Sequence, residues 1–439
     1  MMLKPNLFRL LVLPAVLALA MIGRAPAQPI TIEIAGATEA AIPIAVVPFH
    51  VLGNAAPPQD VAAIIAGNLQ RSGMFEPLAS SDMLSRPARM EDVQFAQWRA
   101  LGVDYLVIGS IQPHAGGSYQ LRFELLDVYK NSRLQAKAYR VPATALRDLA
   151  HNISDLIYEA ITGDPGAFNT KILYVTESRD GDKRRYQLIH ADADGERPQA
   201  LLTSSHPIMS PAWSPDRQQV AYVSFEGGRA EVWIQPVYTN QRPVPRRKVA
   251  AFPGINSSPA WSPDGRRLAL TLSRNGNADI YVLDVDTGRL TQVTRHWAID
   301  TSPVWAPDGR SILFMSERGG GAQIYRVPVT GGEPERLTFT GRYNADPAIS
   351  PDGKRLAMVH RTDGGDRIAV LDLETGQLRV LTEGPLDEHP SFAPNGAMLL
   401  YASSRGGASR LATVSLHGRA DLPLALSHGN ARSPAWSPR

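Results

Sequence analysis

Cysteine is absent from all 439 residues. Its absence excludes disulfides, thiolate zinc sites and cysteine nucleophiles together, and leaves the redox compartment undecided on cysteine usage alone. Long apolar runs are scarce as well. Beyond the first 27 residues no segment approaches 18 uninterrupted apolar residues, the length a spanning helix needs. Local signatures of catalysis are also missing. The ten His residues never stand as H-x-x-x-H or H-x-H, and there is no G-x-S-x-G, G-x-x-x-x-G-K-[ST] or G-x-G-x-x-G. Hydrophobic residues make up 44% and charged residues 20%, an ordinary globular balance, and the length allows two or three domains. Gly 36 and Pro 35 supply many turn formers, which favours numerous short strands.

The N-terminus carries an address. Lys4 and Arg9 precede an apolar run from Leu10 to Ile22, and Ala25-Pro26-Ala27 offers the small residues a signal peptidase accepts. Residues 1–27 therefore read as a cleaved secretory signal. The apolar run is too short to span a bilayer, and no Cys follows it for lipid attachment, so membrane association is expected only through partners. Losing Lys4, Arg9 and Arg24 takes 45 basic residues to 42, equal to the 42 acidic ones. A neutral mature chain gives no support to a nucleic-acid partner, which requires a concentrated basic face. The one basic knot, Arg242 to Lys248, is interrupted by Pro243 and Pro245 and reads as a solvated loop.

Self-comparison reveals six copies of one phrase: Pro211 to Asp216, Pro259 to Gly265, Pro303 to Gly309, Pro347 to Gly353, Pro390 to Gly396 and Pro434 to Pro438. Their first prolines stand 48, 44, 44, 43 and 44 residues apart, which suits about four short strands per repeat. In one repeat, Ala260 to Ser262 reads as a short strand, Ser262 to Gly265 as a turn, Leu268 to Ser273 as a second strand, Asp279 to Val285 as a third and Leu290 to Thr294 as a fourth. The second-strand pattern also occurs at Ile172 to Thr176, with no phrase before it, while the phrase at Pro434 has nothing after it. The two orphans complete each other. If the C-terminal segment is the innermost strand of the sheet begun at Lys171, a six-bladed β-propeller from about Thr170 to Arg439 closes on itself and leaves no open edge.

The preceding segment, 28–165, differs in kind. Ala41 to Phe49 reads as a strand, Asp60 as a helix cap, Glu91 to Leu101 as a second helix, and Asp104 to Ile111, Gln120 to Tyr129 and Ala136 to Val141 as strands. A last helix carries Leu146, Leu149, Ile153, Leu156, Ile157 and Ile161 at helical spacing, and Gly163 to Gly166 reads as the linker to the propeller. This is a small α/β domain. The expected fold is multidomain, an α/β N-terminal domain followed by the closed propeller.

No catalytic residue, cofactor or metal is expected. Asp192-Ala-Asp194-Gly195 resembles the start of a calcium loop but lacks its downstream Glu, and reads as a hairpin turn. Trp213, Trp261, Trp305 and Trp436, with Ile349 and Phe392 substituting, recur once per blade and read as packing between blades. A prolyl-oligopeptidase-type hydrolase needs a second large domain for which too few residues remain; hydrolase and small-ligand or glycan-binding propellers are the alternatives. The variable loops before the innermost strands offer a binding face instead: Gly254 to Asn256, Ala298 to Thr301, Tyr343 to Asp346 and Leu386 to Glu388. Ile30, Ile32 and Ile34 alternate with polar residues, so the mature N-terminus could add a strand to a partner's sheet or to its own.

The signal, the small α/β domain, the six repeats and the closing Pro-Ala-Trp436-Ser-Pro438 together resemble the TolB family, periplasmic propeller proteins of the Tol-Pal system. Further matches are Ser72-Gly73 before Phe75, the Trp98 to Gly102 helix end, and Pro207 to Asp216. The resemblance implies no catalysis. It implies a monomer whose propeller binds the outer-membrane lipoprotein Pal and whose N-terminus binds the inner-membrane protein TolA, in support of outer-membrane constriction at division and envelope integrity. On this chain the Pal face would include Ile255, Asn256, Thr301, Asn344, Asp346, Asp387 and Glu388. The TolA segment would be 28–40, with Gln28, Ile30, Ile32, Ile34 and Ala40. One departure is Ile255, where the family often has His.

Overall fold

The computed structural model describes residues 40–439 except 54–55, 239–243, 418–420 and 427–429. The expected signal, 1–27, and Gln28, Ile30, Ile32 and Ile34 lie outside the described residues; Ala40 is described and exposed.

Strands β1 (Ile42–Val46), β2 (His50–Val51), β3 (Phe75–Pro77), β4 (Tyr105–His114), β5 (Ser118–Asp127) and β6 (Ser132–Pro142) form one sheet in the order β3-β1-β4-β5-β6, with β2 also paired to β4. Helix α1 (Val61–Arg71) starts where the Asp60 carboxylate accepts a hydrogen bond from Ala63 N at 3.0 Å. Helix α2 (Phe95–Ala100) is shorter than expected from Glu91 to Leu101. A 3-10 turn at Met90–Asp92 is followed by extended Val93, and Gln94 supplies no side-chain cap, so the helix begins only at Phe95. Its six residues suffice to bury Trp98 against Ala45, Leu106 and Ile108 on one face of the sheet. Helix α3 (Leu146–Thr162) covers the other face with Leu149, Ile153 and Ile157, and ends at Gly163, whose φ of 82° is left-handed.

Residues 171–436 build six four-stranded antiparallel sheets. Blade 3 is typical, with strands Asn256–Trp261, Arg267–Leu272, Asp279–Asp284 and Leu290–Gln292 running outward from the axis. The innermost strands of blades 2, 4, 5 and 6 are Ile208–Trp213, Asp300–Trp305, Asn344–Ile349 and Asp387–Phe392. In blade 1 the innermost strand is the C-terminal Ala431–Trp436, which pairs Trp436 with Ile172 and Ala431 with Thr176. The ring is closed across the two ends of the propeller sequence, as the orphan half-repeats required. Closure is reinforced by Lys171 N donating to Ser437 Oγ at 3.1 Å and Trp436 Nε1 donating to Thr170 Oγ1 at 2.8 Å.

Each innermost strand is longer than the Ala260 to Ser262 reading. It starts four residues earlier and carries one bulge, since Ser257 pairs with Thr271 but Ala260 with Ala269. At the bulge, Ser210, Ser258, Ser302, Asp346, His389 and Ser433 have φ between 47° and 55°. Each precedes a proline. A left-handed residue before proline is strained, and six repeats of it around one axis are held by the ladders on either side. The repeat tryptophans pack blade on blade: Trp213 Nε1 donates to Ala435 O and Trp305 Nε1 to Ala260 O, both at 3.1 Å. The basic knot is not a free loop where it is described. Arg247–Ala250 is the outer strand of blade 2, Arg246 and Lys248 pair with Glu226 and Glu231 at 2.7 and 3.1 Å, and both cations lie over the Trp233 ring.

The α/β domain and the propeller share one core. Ile153, Ile157, Tyr158 and Phe168 meet Ile172, Ile189, Ala393, Met398 and Trp436 in a continuous apolar cluster. The Gly163 to Gly166 linker is pinned, because the Asp155 carboxylate accepts from Phe168 N at 2.7 Å and Asn169 N at 3.2 Å. A Cβ on Gly166 would lie 2.4 Å from Asp155 Oδ1, so only glycine permits this approach.

Candidate protein-docking face

The strand registers give the ring two unlike ends. Asn256 pairs with Leu272 and Trp261 with Leu268, so the loops entering each innermost strand share one end with the hairpins after each second strand. We call this the loop face. The Ser262 to Gly265 turn and its equivalents lie at the opposite end, the turn face.

The turn face is occupied by the α/β domain. Asn395 Nδ2 donates to Pro165 O at 3.1 Å. Asp192 and Asp194 do form a turn, as expected, but they are also the centre of an interdomain ionic lock, which the sequence reading missed. Asp192, 1% exposed, contacts Arg147 at 3.2 Å, Lys171 at 2.5 Å and Arg197 at 2.8 Å. Asp194 pairs with Arg147 and approaches Arg71 at 3.7 Å. His151 Nε2 lies 3.7 Å from both carboxylates, and its Nδ1 is 2.9 Å from Asn68 Nδ2. Burial pushes the Asp192 carboxyl up, but the side chains of His151, Arg197 and Lys171 outweigh it and hold the group below the usual carboxylate range. His151, Asp192 and Asp194 have ligand atoms close enough together for a metal, yet guanidinium and ammonium groups fill the carboxylates' coordination. This donor set suits an ion-pair network and not a metal.

Among the described residues the α/β domain leaves the loop face open. All seven expected contact residues lie at this end, but they divide into two kinds. Asn256, Asn344 and Asp387 are first residues of innermost strands and are buried, so they support the face from beneath instead of forming its surface. Asn256 accepts from Phe252 N at 2.9 Å and donates to Phe252 O at 2.7 Å, closing its own loop. Asn344 donates to Gln323 Oε1 and Thr340 O, both at 2.9 Å, and lies 2.7 Å from His360 Nδ1. Burial pushes the His360 imidazole down, favouring the neutral ring. Asp387 accepts from Gly384 N at 3.1 Å. Asp300 takes the equivalent place in blade 4, gripped by both of its oxygens at 3.0 and 2.8 Å by Arg318.

Ile255, 47% exposed, is a surface residue, while Thr301, Asp346 and Glu388 are half-buried around the channel mouth. Thr301 Oγ1 lies 3.3 Å from Thr271 Oγ1. Asp346 sits 3.4 Å from Ser302 Oγ and 3.9 Å from His389 Nε2. Burial, then the charge of Asp346, pushes the Tyr343 hydroxyl up, and the Arg361 guanidinium covers that ring at 4.1 Å. The channel has a volume of about 400 Å³ and is walled by the prolines, tryptophans and strained residues of the repeat phrase. The most exposed apolar side chains at this end, Trp297 and Phe339, went unremarked in the sequence. Each stands in a loop outside the repeat phrase; a tryptophan in Arg295 to Ala298, unmatched in the other blades, was the available signal.

An α/β domain locked to the turn face of a strand-closed six-bladed propeller, with the loop face open, defines a two-domain propeller protein. Residues 30–134 match the TolB amino-terminal domain and residues 158–439 the TolB beta propeller domain. The Tol-Pal system protein TolB of Nitrosococcus oceani is 57% identical over 410 residues, 93% of each chain, and that of Xanthomonas oryzae pv. oryzae is 45% identical over 96% of each. The crystal structure of TolB from Acinetobacter baumannii superposes with a TM-score of 0.84 at 39% identity, covering 92% of this chain and 98% of that one. The chain belongs to the TolB family and is a component of the Tol-Pal system.

Proposed function

We propose that this protein is a non-catalytic periplasmic scaffold that binds the lipoprotein Pal at its loop face and TolA through segment 28–40. The observation that carries the reading is the asymmetry of the ring. One face is consumed by the protein's own α/β domain, while the other presents non-repeating loops on a rigid strand frame, the arrangement of a docking surface. Ile255, Thr301, Asp346 and Glu388 contact Pal, and Asn256, Asn344 and Asp387 fix the loops that present them. The secretory signal at 1–27 delivers the chain to the periplasm, and no described helix is long and apolar enough to cross a membrane. The non-catalytic reading is supported by the relatives, which are named as Tol-Pal components, and by the His and carboxylate cluster found among the described residues, whose carboxylates are engaged by cations.

Occupancy of the loop face keeps Pal from peptidoglycan. Capture of the N-terminal strand by TolA couples inner-membrane energy to Pal release, which helps the outer membrane constrict at division. Calorimetry with purified soluble domains of Pal and TolA tests this. Deleting Gln28 to Glu39 abolishes TolA binding and leaves Pal binding intact; loss of both contradicts separate sites.

A further inference from the structure

Trp297 is 80% exposed, yet the backbone presenting it is fixed on both sides. Asn277 Nδ2 donates to His296 O at 2.6 Å and to Ala298 O at 2.8 Å. His296 N donates to the buried Asp279 carboxylate at 3.2 Å, and Ala298 N donates to His296 Nδ1 at 3.0 Å. The His296 ring lies 5.2 Å from the indole. Four hydrogen bonds thus immobilise a loop whose largest side chain faces water, and the fold gains little burial from that side chain. One blade on, the corresponding loop presents Phe339, 67% exposed, with the Arg336 guanidinium 5.1 Å from its ring and Arg336 Nε donating to Thr338 O at 2.6 Å.

The exposed charge around these two aromatics is mainly basic, with Glu317, whose N–H donates to Ile299 O at 3.2 Å, as an exposed acid of the hairpin beside the Trp297 loop. Arg274, Arg295 and Arg342 are exposed on the neighbouring hairpin and loops, and among the described residues none of them has a carboxylate partner. Arg274 lies over the Phe252 ring at 4.7 Å. Rigid exposed aromatics surrounded by arginine are the composition of an interface centre, and unpaired cations at its margin favour an acidic partner.

We infer that the sector of the loop face around Trp297 and Phe339 is the affinity-determining part of the docking surface, and that it takes an acidic protein segment whose apolar side chain covers the indole. The inference rests on the reading that this face binds Pal, and commits Pal to presenting carboxylates here. A preordered tryptophan loses little freedom when covered, and the arginines accelerate encounter at low salt.

The test is calorimetry and stopped-flow association of the full mature chain with the soluble domain of Pal at two salt concentrations. Trp297→Ala weakens binding about 30-fold or more, the loss of a hot-spot residue, and Phe339→Ala weakens it several-fold. Arg295→Glu with Arg342→Glu slows association about tenfold at low salt and flattens its salt dependence. Leu84→Ala, at an equally exposed apolar residue of the α/β domain, leaves binding unchanged. Because Trp297 supports no core, its variant keeps the parent melting temperature. Affinity of Trp297→Ala within twofold of the parent overturns the inference while leaving the Pal reading standing. No binding by the unaltered chain overturns both.

Discussion

Replacing Trp436 with alanine tests how the ring is held shut. Its side chain is almost fully buried at the seam, in the cluster that also contains Tyr158 and Phe168, and its Nε1 donates to Thr170 Oγ1. A buried aromatic removes roughly 200 Å² from water, which at about 25 cal/mol per Å² is about 5 kcal/mol before any relaxation. Measured tryptophan truncations in cores cost about 3–5 kcal/mol, and the lost hydrogen bond adds about 1 kcal/mol. A destabilisation of about 4–6 kcal/mol is therefore expected, roughly a quarter or more of the stability of an ordinary domain. Trp305→Ala is the matched control, since it removes the same residue from the same repeat position inside the ring, with one hydrogen bond to Ala260 O. Urea unfolding gives the two losses. Hydrogen exchange gives their location: Trp436→Ala exposes the amides of Lys171–Asp180 and Ala431–Trp436 first, while Trp305→Ala leaves that seam protected. A loss under about 1 kcal/mol, or identical exchange patterns in the two variants, refutes the seam argument.

Asp192→Asn leaves Arg147, Lys171 and Arg197 without their shared carboxylate and costs roughly 3–5 kcal/mol at pH 7, read by urea unfolding. The folded pKa of Asp192 is depressed, so its contribution is fully present above the unfolded value near 4 and is lost as pH falls below it; the variant flattens that acid limb. Gly166→Ala forces a Cβ against Asp155 and costs about 1–3 kcal/mol, with faster exchange at the Phe168 and Asn169 amides. Asn344→Ala leaves Thr340 O and Gln323 Oε1 short of a donor, costs about 1–3 kcal/mol, and lowers Pal affinity in calorimetry by loosening the loop above it.

The propeller was readable because its information repeats. A phrase that recurs six times, five times with its turn and four times with an inter-blade tryptophan, is legible from spacing alone, and the incomplete first and last repeats gave the closure. The bulge was not readable, because Ser258-Pro259 in isolation predicts extended backbone; only the neighbouring ladders hold the left-handed φ. The ionic lock escaped because its members are distant in the chain: Arg147 and Asp192 stand 45 residues apart and belong to different domains. On the loop face, position was legible and depth was not. Asn256, Asn344 and Asp387 look like surface polar residues in sequence, and only the added length of the innermost strands shows them to be supports. Trp297 was hidden for the opposite reason, since a tryptophan reads as core unless the loop that lifts it into solvent is seen.

The most direct test of the whole account is a hydrogen-exchange footprint of the soluble domain of Pal on the full mature chain. Protection confined to the loops at 251–256, 293–301, 337–346 and 381–388 is the expected result. Protection of the Ser262 to Gly265 turn and its equivalents, or of α1 and α3, with the loop face unchanged, contradicts it.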